Sequence, residues 1–263
     1  MADGIVYGLE RFAEVFALYK EQFVIIGGAA CRAELMESPI KPRRTEDIDM
    51  VLVLEHLDKD FISTFWSFIK DGQYKCGTRK SDEGVKYVLY SFEEGREGFP
   101  LKVELLSRPV DGLGTPEEHH IERIDLGEET SYISAIILEP DYYNYLISNT
   151  DPVKGLRFAS PSALVCLKTL AYMNLHDDKQ KGIHVNEKDY KKHRRDVIMA
   201  AASLKVGDEF VVPATIRKKI SEFIETINSE PGVRQSLMGS CEIKEDETLD
   251  GYIELLDASF IEE

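Results

Sequence analysis

Long apolar runs, paired cysteines and an excess of positive charge are all missing from this chain, and each absence removes a class of function. No apolar run approaches the roughly 18 residues of a membrane span. The first residues show no basic segment followed by an apolar one, so secretion is not expected and a cytoplasmic location is. The four cysteines, Cys31, Cys76, Cys166 and Cys241, lie far apart with no CxxC pair, which fits reduced buried thiols and not a disulfide framework or zinc site. His119-His120 have no cysteine or further histidine nearby at ligand spacing, so no metal is expected there. Lys and Arg number 32 against 48 Asp and Glu, a formal net charge of −16. Non-specific nucleic-acid affinity comes from neutralising phosphates, so this balance argues against a general nucleic-acid binder. Internal repeats and low-complexity segments are absent too. With 43% hydrophobic residues in 263, the chain can fill the cores of one large or two ordinary domains.

What the chain does carry is concentrated between Phe23 and Leu54. Phe23 to Ile26 is a β-branched and aromatic run that stops at Gly27-Gly28, and AACRAELM after it has helix-forming composition. A strand, a glycine turn and a helix in that order suit phosphate, because glycine lets backbone approach a ligand and the helix N-terminus presents unpaired N–H groups. Downstream, Asp47-Ile48-Asp49 leads into MVLVL. If the strand has begun by Asp47, its two carboxylates share one face while Ile48 takes the other, about 7 Å apart at ~3.3 Å per residue. Such a pair can converge on one hard divalent cation, and Mg²⁺ would also bind the phosphates of a nucleotide lying over the glycines.

Gly27-Gly28, a variable stretch, then Arg44-Thr45-Glu46-Asp47-Ile48-Asp49 and an apolar strand resembles the signature of the polymerase-β-like nucleotidyltransferase superfamily. Within it the chain looks most like the AbiEii/AbiGii branch, the nucleotidyltransferase toxins of abortive-infection and type IV toxin–antitoxin systems. The resemblance implies an α+β fold, with a nucleotidyltransferase-type mixed sheet and flanking helices followed by a helical C-terminal domain. It also implies NTP as substrate, two Mg²⁺ ions, a tRNA or other RNA acceptor and an antitoxin protein as partner. Gly27, Gly28, Arg44, Thr45 and Lys168 form the expected nucleotide-binding set.

The third carboxylate is expected on a later strand. QYKCGTR, GVKYVLYSF and LKVELLSRP read as three strands, and in the last Glu104 leaves the apolar face beside Lys102. Glu104 is the candidate, expected either to ligate the metal with Asp47 and Asp49 or to act as the base, although the resembling proteins usually place aspartate there. A surface Glu paired with Lys102 is the structural alternative. Past Pro140, DYYNYLIS reads as a helix, SYISAIILEP before it as a strand, and Asn149 to Gly155 as a boundary, giving domains 1–150 and 151–263.

Beyond the boundary the periodicity is helical. Ser160-Pro161 opens a helix carrying Lys168, and Glu187 to Leu204 forms a second with Lys192-His193-Arg194-Arg195-Asp196. The resembling proteins carry a lysine and then a Lys/Arg-Asp pair in the same order, which implies that Lys168 contacts nucleotide phosphates and that Asp196 either positions it or acts near the acceptor. Lys41, Arg43 and Arg44, with the cations from Lys188 to Arg195, would line a cleft, or else simply be solvated faces. Thr215 to Ile227 and the acidic stretch from Glu242 to Glu263 also have helical spacing.

Asp47, Asp49, Glu104, Lys168 and Asp196 are therefore the expected catalytic set for moving a nucleoside monophosphate from an NTP to an acceptor hydroxyl. Two other functions fit the same residues. One is nucleotidyl transfer to a small molecule. The other is a non-catalytic interaction module that works through the acidic C-terminal helix.

Overall fold

The structure, a computed structural model, describes residues 5–34, 45–80, 88–107, 139–243 and 245–263. Lys41, Arg43, Arg44, His119, His120 and nearly all of the expected strand SYISAIILEP lie outside those residues. The fold is α+β, and the chain forms two compact units. One comprises Met1–Ala33, Arg43–Leu138 and Thr150–Ala159; the other comprises Glu34–Pro42, Glu139–Asn149 and Ser160–Glu263.

The first unit is built on a mixed sheet, seven-stranded among the described residues. Its elements are α1 (Leu9–Phe16), a 3-10 segment Ala17–Gln22, β1 (Phe23–Ile26), α2 (Gly27–Glu34), β2 (Asp47–Leu52), α3 (Lys59–Asp71), β3 (Lys75–Lys80), β4 (Val88–Glu93) and β5 (Lys102–Ser107). α4 (Pro140–Ser148) belongs to the second unit, and the chain then returns to the sheet as β6 (Thr150–Val153) and β7 (Leu156–Ala159). The strand order is β3-β4-β5-β2-β1-β7-β6. Only β2 with β5 and β1 with β7 run parallel.

One face of this sheet is aromatic. Phe12 and Phe16 of α1 and Phe61, Phe65 and Phe68 of α3 fall at helical spacing and are buried against Phe23 and Phe92 of the strands. Asp58 starts α3 by accepting from Phe61 N at 2.7 Å, and it is held in turn by Gln22 Nε2 at 2.7 Å. Burying each such ring contributes about 1.5–3 kcal/mol. Because strand side chains alternate, this apolar face leaves Asp47, Asp49, Lys102 and Glu104 on the other.

Asn149 to Gly155, expected as a boundary, is largely hairpin. Lys154 and Gly155 have φ of +51° and +79°, as a tight two-residue turn requires, and Pro152 is tolerated because β6 is the outer strand.

The second unit contains α4, α5 (Pro161–Gln180), α6 (Glu187–Ala201), β8 (Phe210–Val212), α7 (Ala214–Ser229), α8 (Pro231–Cys241), α9 (Asp246–Ser259) and β9 (Phe260–Glu262). α5 is its central helix, buried continuously from Ser162 to Met173 and polar in its last turns, with Ser160 Oγ accepting from Ala163 N at 3.3 Å at its start. The stretch from Glu242 does not stay helical to the end: Phe260 lies on β9, parallel to β8, with its ring 5.3 Å from that of Phe210. The four cysteines form no disulfide. No helix among the described residues is long and apolar enough to cross a membrane.

Candidate active site

β1 ends in a turn that only glycine fits. Gly27 has φ +68°, a conformation costing other residues about 1–2 kcal/mol, and a Cβ there would lie 2.0 Å from Asp49 Oδ2. At Gly28 a Cβ would fall 2.8 Å from Thr45 Oγ1. The glycine pair is thus a cradle for two side chains, Asp49 from β2 and Thr45 from two residues before that strand. Its consequence is that the Asp49 carboxylate lies against the first turn of α2, where backbone N–H groups have no helical acceptor.

Strand register carries the site across the sheet. Asp49 stands opposite Ile26 of β1 on one side and Glu104 of β5 on the other, while Glu104 in turn faces Ser91 of β4. Two positions away, Asp47 stands opposite Lys102, Lys102 opposite Glu93, and Glu93 opposite Lys75 of β3. The second row therefore alternates in charge across four strands, the arrangement that lets like charges share one sheet face.

Lys102 joins the two rows. Its Nζ lies 2.8 Å from Glu104 Oε1 and 3.3 Å from Glu93 Oε1, and Ser91 Oγ donates to the same Glu104 oxygen at 3.2 Å. Desolvation would lower the Lys102 ammonium, but the Glu104 and Glu93 carboxylates outweigh it and hold it above its ordinary value. Glu104 is only 8% exposed. It is the partner of Lys102, as the structural alternative had it, but it is a buried one.

Of these residues, Asp47 and Asp49 are the ones whose chemistry suits a hard divalent ion. Asp47 and Asp49 are half-buried carboxylates on one sheet face, and oxygen is the donor such ions take. Glu104 is turned to Lys102. Among the described residues no three His, Cys, Asp or Glu side chains are grouped to hold a metal ion.

In the second unit Lys168 of α5 is 8% exposed, and its Nζ lies 3.2 Å from Asp196 Oδ2 of α6. An ammonium at that depth is tolerated because a carboxylate compensates its lost hydration. His193, one turn before Asp196, has its Nδ1 enclosed without a hydrogen-bond partner. Desolvation, then the ammonium groups of Lys168 and Lys192, push the His193 imidazolium well below its ordinary range, so the ring is neutral near pH 7.

Two of the cations expected to line a cleft are engaged within the helical unit. Arg194 is buried, its Nη2 donating to Ser236 Oγ at 2.7 Å, and Arg195 Nε donates to the Ser240 carbonyl at 2.8 Å. Both tie α6 to α8.

Sequence reasoning set Lys102 beside Glu104 but missed Ser91 as a member of the cluster. Lys102 and Glu104 stand two apart on one strand, so their shared face was available from alternation, but the depth of Glu104 depends on both neighbouring strands. Compared with protein-family models, curated proteins and solved structures, the chain shows no match.

Proposed function

We propose that the chain is a metal-dependent nucleotidyltransferase that moves a nucleoside monophosphate from an NTP to an acceptor hydroxyl. The observation that carries this reading is the apposition of Gly27 and Asp49, which joins an anion-binding turn to a carboxylate pair. In the reaction the acceptor oxygen bonds to the α-phosphorus, the bond from that phosphorus to the bridging oxygen breaks, and pyrophosphate leaves; the acceptor proton passes to solvent. Asp47 and Asp49 would hold Mg²⁺, which supplies Lewis acidity toward the phosphate oxygens. Gly27 and Gly28 direct backbone N–H groups at phosphate, with Thr45 beside them. Arg44 and Lys168 take the phosphate-directed cation roles implied by the resemblance, with Asp196 as the carboxylate that fixes Lys168.

The acceptor is an RNA end in this reading, with an antitoxin protein as the regulator, both from the resemblance. A small-molecule acceptor is favoured by one observation: Arg194 and Arg195 are engaged inside the helical unit, which thins the basic surface counted from sequence. Incubation with each labelled NTP, Mg²⁺ and total tRNA tests both. Label on RNA that Asp49→Asn abolishes is the expected result. Pyrophosphate release without labelled RNA would move the acceptor to the small-molecule class, and no turnover with any NTP would count against the transferase.

A further inference from the structure

We propose that Lys102 is a resident cation of the carboxylate cluster. Its ammonium occupies the place beside Glu104 that a second divalent ion would need, so the chain takes up one such ion, at Asp47 and Asp49, and not two. The inference rests on the reading of those aspartates as metal ligands.

Three observations converge on it. Register sets Asp47 beside Lys102 and Asp49 beside Glu104, so the strands bring the third carboxylate to the place where it would complete a ligand set. That carboxylate is already engaged, with Oε1 at 2.8 Å from Lys102 Nζ and 3.2 Å from Ser91 Oγ. The ammonium also has a second anchor in Glu93 at 3.3 Å, on the side away from β2. A divalent ion seated at Glu104 would meet a fixed positive charge within contact distance, or would have to displace it from two carboxylates. One positive charge carried by the chain thus stands where the chemistry of a three-acid cluster calls for another metal.

The arrangement also has a directional consequence. Removing Lys102 leaves Glu104 and Glu93 as uncompensated carboxylates next to Asp49 and Asp47, and such a group gains affinity for divalent cations. Neutralising Glu104 instead removes nothing that the ion touches.

Manganese serves as the probe, counted by electron paramagnetic resonance titration of the full chain, with circular dichroism confirming the fold of each variant. The wild-type chain is expected to bind one equivalent of Mn²⁺, lost in Asp49→Asn. Glu104→Gln should keep that equivalent with affinity within about threefold, and Lys102→Met should take up a second that the Lys102→Met/Glu104→Gln double variant loses. Should Lys102→Met fail to fold, Glu104→Gln decides alone. Two equivalents in the wild type, loss of Mn²⁺ in Glu104→Gln, or a folded Lys102→Met still binding one would each overturn the role of Lys102 while leaving the aspartate pair standing. Binding that Asp49→Asn does not reduce, or no binding at all, would remove the underlying reading and the inference with it.

Discussion

Asp49 Oδ2 lies 2.0 Å from the point where a Cβ on Gly27 would begin. No side chain can share that space, so the turn between β1 and α2 and the carboxylate on β2 specify each other. Backbone geometry adds to the constraint, since Gly27 has φ +68°.

Gly27→Ala is expected to destabilise the chain by about 2–4 kcal/mol, combining the left-handed backbone with overpacking against Asp49. Gly28→Ala should cost less, because its nearest neighbour, Thr45 Oγ1, lies at 2.8 Å and is a side chain that can rotate. Urea unfolding of the two variants checks the order. Equal midpoints would mean that the fit of Gly27 to Asp49 is slack.

The Lys168–Asp196 pair, with side chains 10% and 17% exposed, is expected to behave as a buried ion pair. Asp196→Asn should cost about 2–4 kcal/mol, because the ammonium keeps its burial and loses that carboxylate. Lys218→Ala, which breaks an ion pair at 3.8 Å from a lysine side chain 75% exposed, should stay within about 0.5 kcal/mol. Chemical denaturation of both variants measures the contrast, and an Asp196→Asn chain as stable as wild type would show that the pair is dispensable to the fold.

His193 sets a pH dependence of stability. Its folded pKa is depressed, so between that value and the unfolded value near 6.5 the unfolded chain binds the extra proton. Stability therefore falls as pH drops below about 6.5, with a limiting slope from this residue of about 1.4 kcal/mol per pH unit. His193→Gln should flatten the profile in that window. Melting temperatures taken between pH 7.5 and 5 test it, and matching profiles for the two chains would locate the proton elsewhere.

Much of this arrangement can be read from the sequence, for reasons that differ between its parts. FVII before Gly27-Gly28 and MVLVL after Asp49 are local patterns; the first forms β1 and the second continues β2 as far as Leu52. The placement of Asp49 beside Glu104 depends on the parallel pairing of β2 with β5, a long-range choice that no window of sequence contains. Pro152 hid β6, since proline argues against a strand unless the strand is already known to lie at an edge. Arg194 reads as a surface charge in the run from Lys188 to Asp196, yet it is 3% exposed, because its partner Ser236 arrives from a helix 42 residues later.

The most direct test of the central claim is calorimetric titration of the folded chain with a non-hydrolysable NTP, with and without Mg²⁺, compared with Asp49→Asn. A metal-dependent nucleotide site predicts binding that requires Mg²⁺ and weakens by about 10- to 100-fold in the variant. Binding indifferent to both the ion and the substitution, or no binding of any NTP, would contradict it.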